Sequence, residues 1–100
     1  MALLQRTPVD EATLEAFCER SGIAKLEEFD PRFAGFPADL HLIATNTPDA
    51  GWSLFDHSRV ELELSELLGR SVELVTRGGV ESNPLAPSGI LETARPFHAC

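Results

Sequence analysis

Asp39-Leu40-His41 sets a carboxylate and an imidazole one residue apart at the start of an apolar stretch that runs to Thr45. On a strand, side chains separated by one residue point to the same face. Asp39 and His41 can therefore reach one ion together. Glu73 alternates with apolar neighbours in Val72-Glu73-Leu74-Val75, which reads as a second short strand. Adjacent strands bring same-face side chains within contact range, so Glu73 joins Asp39 and His41 only in a fold that sets these two strands side by side. An Asp-x-His pair alone is a weak signal for a transition metal. Asp39 equally reads as a solvated strand end, Glu73 as the polar member of an alternating strand, and His41 as a hydrogen-bonded or exposed histidine. His98 and Cys100 could chelate in principle, but an unstructured chain end explains them more simply. There is no Gly-x-Ser-x-Gly elbow, no Walker loop and no Cys-x-x-Cys. His57 falls in a helical pattern and has no partner identifiable from sequence.

The elements that must position these residues follow from periodicity and breakers. Thr7-Pro8-Val9-Asp10 reads as a helix start, with Thr7 as cap and Pro8 in the first helical position. That helix runs to about Ser21, with Leu14, Phe17 and Cys18 on one face, and stops at Gly22. Ile23 to Phe29 is a first strand and Leu40 to Thr45 a second. A turn by composition, Asn46 to Gly51, leads into the longest helix, Trp52 to Leu68, stopped by Gly69. Val60-Glu61-Leu62-Glu63-Leu64 alternates like a strand, but Leu67-Leu68-Gly69 continues the helical pattern and decides for helix. Ser71 to Thr76 is the third strand. Arg77-Gly78-Gly79 breaks it, residues 82–89 are loop, and Ile90 to Ala94 form a short last helix. The order is α-β-β-α-β-(α), one α/β (α+β) domain over residues 1–100 with helices packed on a small sheet.

Composition sets limits. The hydrophobic share is 43% and the charged share 24%, ordinary for a globular domain. A formal charge of −8 neither attracts nucleic acid nor favours broad phosphate binding. No apolar run approaches membrane-spanning length, and the first residues are too short an apolar run for a signal peptide. Two cysteines, Cys18 and Cys100, read as one buried and one terminal thiol in a reduced, cytoplasmic protein.

Read in order, Phe29-Asp30-Pro31-Arg32-Phe33-Ala34-Gly35, Asp39-Leu40-His41-Leu42 and Val72-Glu73-Leu74-Val75 resemble the minimal nucleotidyltransferases, relatives of the DNA polymerase β palm. The likeness runs from about Ile23 to Pro96. It is closest from Leu64 to Val75 and returns in Ile90 to Ala94. The resemblance implies a nucleotidyltransferase palm with a small mixed sheet. It also implies a Gly-Ser turn whose amides cradle the triphosphate, a pair of aspartates and a third carboxylate holding two magnesium ions. Here Asp30-Pro31 stand at the Gly-Ser positions, with Arg32 and Gly35 keeping a degenerate nucleotide loop. Asp39 and Glu73 keep the first and third carboxylates, and so would be the metal ligands, and His41 replaces the second.

Each change opposes the chemistry. Asp30 puts a carboxylate where an anion binds, and Pro31 has no N–H to donate. Together they make a good helix start instead. Magnesium prefers hard oxygen ligands, so imidazole is a poor replacement for the second carboxylate. The resemblance thus implies a nucleotidyltransferase-fold protein with impaired catalysis that acts as a protein-binding, antitoxin-like module and needs no cofactor. Its partner would be a helical protein of the HEPN type or a second copy. Two alternatives stand beside this. One is a divergent but active magnesium-dependent enzyme moving NMP from NTP to a protein or RNA acceptor. The other is a small structural or regulatory domain with no antitoxin role. Phe55 and Leu62 fall on the helix face opposite Val60 and Leu64, with Trp52 at its start, and mark a contact patch. The intramolecular alternative is that Ile90, Leu91 and Phe97 fold back over it.

Overall fold

A computed structural model describes the backbone of residues 10–99 and the side chains of 10–97. The proposed cap and first-turn residues Thr7 and Pro8, Cys100, and the side chain of His98 lie outside the described residues.

Helix α1 (Glu11–Ser21) begins one residue after Asp10, whose extended backbone makes it the N-cap. Asp10 is thus not inside the first turn as the Thr7-Pro8 reading required; its side chain makes no capping hydrogen bond and accepts from Thr13 Oγ1 at 3.4 Å. Leu14, Phe17 and Cys18 are the buried face. Gly22 closes the helix with φ of 75°, a left-handed turn that glycine adopts without strain. Cys18 is disulfide-bonded rather than a free thiol, which corrects the reduced reading.

Strand β1 (Ile23–Glu28) leads to a single 3-10 turn, Pro31–Phe33, and then to β2 (Leu40–Asn46). Helix α2 (Leu54–Leu68) follows, with Ser53 as N-cap in a reciprocal capping box with Asp56. Trp52 therefore precedes the helix. Strand β3 (Val72–Thr76) passes straight into α3 (Arg77–Ser82), then α4 (Gly89–Glu92) and β4 (Arg95–Ala99). The sheet order is β3-β2-β1-β4; β2 and β3 run parallel, and β1 is antiparallel to both β2 and β4.

Two features differ from the sequence expectation. Arg77-Gly78-Gly79 ends β3 as expected but also starts a helix, α3, because Thr76 Oγ1 caps it by accepting from the Gly79 amide at 3.0 Å. The short helix ends at Glu92 rather than Ala94, and a fourth strand, absent from the expected order, follows it.

Alternation along β2 places its side chains in two separate cores. Leu40, Leu42 and Ala44 join Leu14, Phe17, Val60 and Leu64 under α1 and α2. Ile43 points the other way and packs with Phe29 and Ile90. A strand covered on both faces reads as a nearly continuous apolar run, as this one does. No described helix is long and apolar enough to cross a membrane.

The outer edge of β3 is closed by one flank of α2. The Val72 amide donates to Ser65 Oγ (3.1 Å), and the Leu74 amide donates to Glu61 Oε2 (2.7 Å). His57 Nε2 meets the Leu74 carbonyl at 2.6 Å, and since a carbonyl only accepts, that nitrogen carries the proton. His57, Glu61 and Ser65 are spaced i, i+4, i+8, so one helical flank covers groups that an open edge would offer to another strand. Glu61→Ala leaves the Leu74 amide without this acceptor and is expected to cost about 1–3 kcal/mol in urea unfolding. Glu63→Ala, which removes no hydrogen bond among the described residues, should stay within about 0.5 kcal/mol of the parent. Equal effects would mean that the edge contact carries no stability.

Candidate functional site

The first part of the site is the turn after β1. The Phe29 amide donates to the His41 carbonyl (3.1 Å), which fixes the turn beside β2. Asp30 is the cap: its Oδ1 accepts from the Arg32 amide at 2.9 Å, and Pro31 takes the first helical position. The Arg32 guanidinium closes on Asp30 Oδ2 at 2.9 Å. Its hydrogen bond, helped by that of the Arg32 amide, holds the Asp30 carboxyl below the usual carboxylate range. The loop therefore carries a fixed negative charge at neutral pH, and its basic residue is already bound to that charge. The Asp30 amide donates to Thr93 Oγ1 (3.0 Å), and the Phe33 ring lies so close to Gly89 that a Cβ there would come within 2.3 Å of it.

The second part is the strand pair. The parallel register sets His41 opposite Glu73. His41 Nδ1 lies 2.9 Å from Glu73 Oε1, and the Gly35 amide donates to the other carboxylate oxygen, Oε2, at 3.0 Å. The two side chains are 7% and 6% exposed, and the Phe29 ring sits 5.7 Å from the imidazole. Burial of a carboxylate requires that its charge be paired and its lone pairs be met, and here both oxygens have donors. Gly35 suits its place because even a Cβ would lie 3.0 Å from Glu73 Oε2.

Asp39 is not joined to this pair. It is exposed, its amide donates to Ser71 Oγ (2.9 Å), and its Oδ2 accepts from the Ser71 amide at 3.3 Å. Its carboxylate ties the start of β2 to the start of β3. Among the described residues no three His, Cys, Asp or Glu side chains are grouped to hold a metal ion. The donor set does not fit a magnesium pair: Glu73 is spent on His41 and Gly35, His41 offers nitrogen, and Asp39 is turned to Ser71.

Beside Glu73 lies a cleft of about 460 Å³ with walls from Phe33, Gly35, Val75, Val80 and Ile90. None of the residues lining it is Lys or Arg. Phosphate recognition depends on cations and free amide donors. This cleft has no cation, and its nearest loop amide, that of Gly35, is committed to Glu73.

The surface residues divide. Trp52 is half-buried, donates from Nε1 to the Ser21 carbonyl at 2.7 Å and leans on the His57 ring. It anchors α2 to α1 and does not belong to an open patch, because its indole N–H finds its acceptor inside the chain. Phe55 and Leu62 are 87% and 62% exposed, and Leu54 is exposed beside them. The final segment does not cover them. Ile90 lies in the core on the other side of the sheet, and Phe97 packs against the core beneath the helices.

Sequence reasoning missed His57, Glu61 and Ser65 as a set. Their i, i+4 spacing on a flank between the buried and exposed faces was the available signal.

This combination of a mixed sheet, a turn leading from β1 toward β2 and acidic positions on two parallel strands is that of a nucleotidyltransferase fold. No protein-family model matches the chain, and no curated protein does. A solved structure provisionally assigned as a minimal nucleotidyltransferase matches it with a TM-score of 0.59 and 27% identity, over 87% of this chain and 88% of that one. The chain therefore has a nucleotidyltransferase fold and is similar over most of its length to that minimal nucleotidyltransferase structure.

Proposed function

We propose that this chain is a nucleotidyltransferase-fold protein that does not transfer nucleotides at a useful rate and works as a protein-binding, antitoxin-like module. The observation that carries this reading is the state of Glu73, whose two oxygens are taken by His41 and the Gly35 amide. The Asp30-Arg32 pair and the cation-free cleft support it from the nucleotide side. Each missing electrostatic contact is worth about 3–4 kcal/mol of transition-state stabilisation in enzymes that retain it. The partner implied by the family resemblance is a helical protein of the HEPN type. The exposed Phe55 and Leu62 supply a place for it.

The test is transfer of radiolabel from ATP with magnesium, in the presence of candidate protein and RNA acceptors. No labelling above that of an Asp39→Ala variant is expected. Labelling that Asp39→Ala abolishes would overturn the reading and favour a divergent active enzyme.

A further inference from the structure

We propose that the outward face of α2 docks a basic amphipathic helix of another protein, and not a second copy of this chain. The inference rests on the protein-binding reading and names the chemistry of the partner. Three observations carry it. The first is that the other sides of α2 are in use. Val60 and Leu64 pack on the sheet, and His57, Glu61 and Ser65 close the β3 edge. Only the side bearing Phe55 and Leu62 is without a neighbour among the described residues, and both residues are largely exposed. Seven residues apart, they lie in line along the helix, the spacing at which a second helix presents its own apolar seam.

The second observation is charge. Helices α1 and α2 carry Glu11, Glu15, Glu19, Asp56, Glu61, Glu63 and Glu66 against only two cations, Arg20 and Arg59. Arg59 is paired with Asp56, and Arg20 lies over the Phe17 ring. Glu11, Glu15, Glu19, Glu63 and Glu66 form no ion pair among the described residues.

The third is the contrast with the other side of the molecule. There Glu27 holds Arg77, Asp30 holds Arg32 and Glu73 meets His41, and Glu92 on α4 is the unpaired carboxylate. Most of the glutamates without an ion pair among the described residues, Glu11, Glu15, Glu19, Glu63 and Glu66, thus lie on the layer that carries the apolar patch. Two copies meeting through this face would bring like charges together, which disfavours self-association. A helix with Lys or Arg flanking an apolar seam would complement it.

The probe is a pair of synthetic helical peptides with one apolar pattern, one flanked by lysine and the other by glutamate. Binding to the full chain is followed by fluorescence anisotropy, and the mass of the free chain by sedimentation velocity. The lysine peptide should bind, the glutamate peptide should not, and binding should weaken steeply from about 0.05 M to about 0.5 M salt. Phe55→Asp with Leu62→Asp is the discriminating variant. It makes the face more acidic, so attraction by charge alone would strengthen, whereas docking on the patch should weaken by about tenfold or more. Glu63→Lys with Glu66→Lys should weaken binding at low salt and much less at high salt. Tighter binding to the Phe55→Asp, Leu62→Asp chain, or equal binding of both peptides, overturns the proposal. So does a dimer of the parent chain that this variant dissolves, an outcome that leaves the broader protein-binding reading intact. Label transfer from ATP tests the catalytic half of that reading separately.

Discussion

His41→Ala should lower folding stability by about 3–5 kcal/mol, the cost of leaving a buried charge without its partner. The imidazole is the side-chain partner of Glu73, at 2.9 Å, and the carboxylate is 6% exposed. Without it, Glu73 keeps only the Gly35 amide, and the remaining oxygen faces the space vacated beside Phe29. The measurement is the urea midpoint at neutral pH, with an unchanged slope to show that the same surface unfolds. A control separates charge from volume. His41→Leu combined with Glu73→Met removes both partners and fills the space, and buried ion pairs replaced in this way are often neutral or stabilising. The double variant should therefore lie well above His41→Ala. If His41→Ala costs less than about 1 kcal/mol, water reaches Glu73 and the pair is not the closed arrangement described.

How much of this was legible in the sequence differs from one residue to the next. Asp30-Pro31 was readable locally, since a capping aspartate followed by proline specifies a helix start with no help from the rest of the chain. The structure has that cap. The meeting of His41 with Glu73 was not local. It depends on β2 and β3 lying side by side and in parallel, a pairing that the family resemblance supplied and periodicity did not. Within that pairing, a shift of one residue would have turned Glu73 to the helix side of the sheet. Asp39 shows the limit of the face argument. It precedes the regular part of β2, where hydrogen bonds to Ser71 set the side-chain direction and strand alternation does not.

Helix α3 was hidden because Gly78-Gly79 has low helix propensity, which the cap from Thr76 and packing of Val80 beside Val75 override. Strand β4 was hidden by its proline and its place at the chain end. Proline is tolerated there because β4 is an edge strand. Phe55 and Leu62 were legible as an outward pair because the helix period alone separates them from Val60 and Leu64. Trp52, read as part of that patch, instead anchors α2 through the Ser21 carbonyl in another helix, a partner that no local pattern reveals.

Restoring the family's residue types should produce a chain that depends on a divalent cation for stability. In Asp30→Gly, Pro31→Ser, His41→Asp, the introduced carboxylate at position 41 has an oxygen as many bonds from Cβ as the imidazole Nδ1. It would therefore face Glu73 Oε1 at close to the 2.9 Å now spanned by the histidine. Two buried carboxylates in contact cannot both ionise without a counter-ion. The variant should be less stable than the parent at neutral pH without metal, and should regain stability as the medium is acidified. Magnesium should have a similar effect, because a cation that binds the folded chain alone stabilises it by about 2.7 kcal/mol at a hundredfold excess over its dissociation constant. The parent, whose Glu73 oxygens are taken, should show no such shift. The loop changes act on the nucleotide. Removing Asp30 frees Arg32 and removes the negative charge, and the new residue 31 supplies the amide that proline lacks. Their cost is one cap, about 1 kcal/mol. ATP binding, followed by calorimetry with magnesium present, should appear in the triple variant and be absent from the parent. In His41→Asp alone the metal response should be present while ATP binding stays weak. A triple variant as stable as the parent without metal, with a urea midpoint that magnesium does not move, would show that positions 41 and 73 no longer form the family's metal-binding pair.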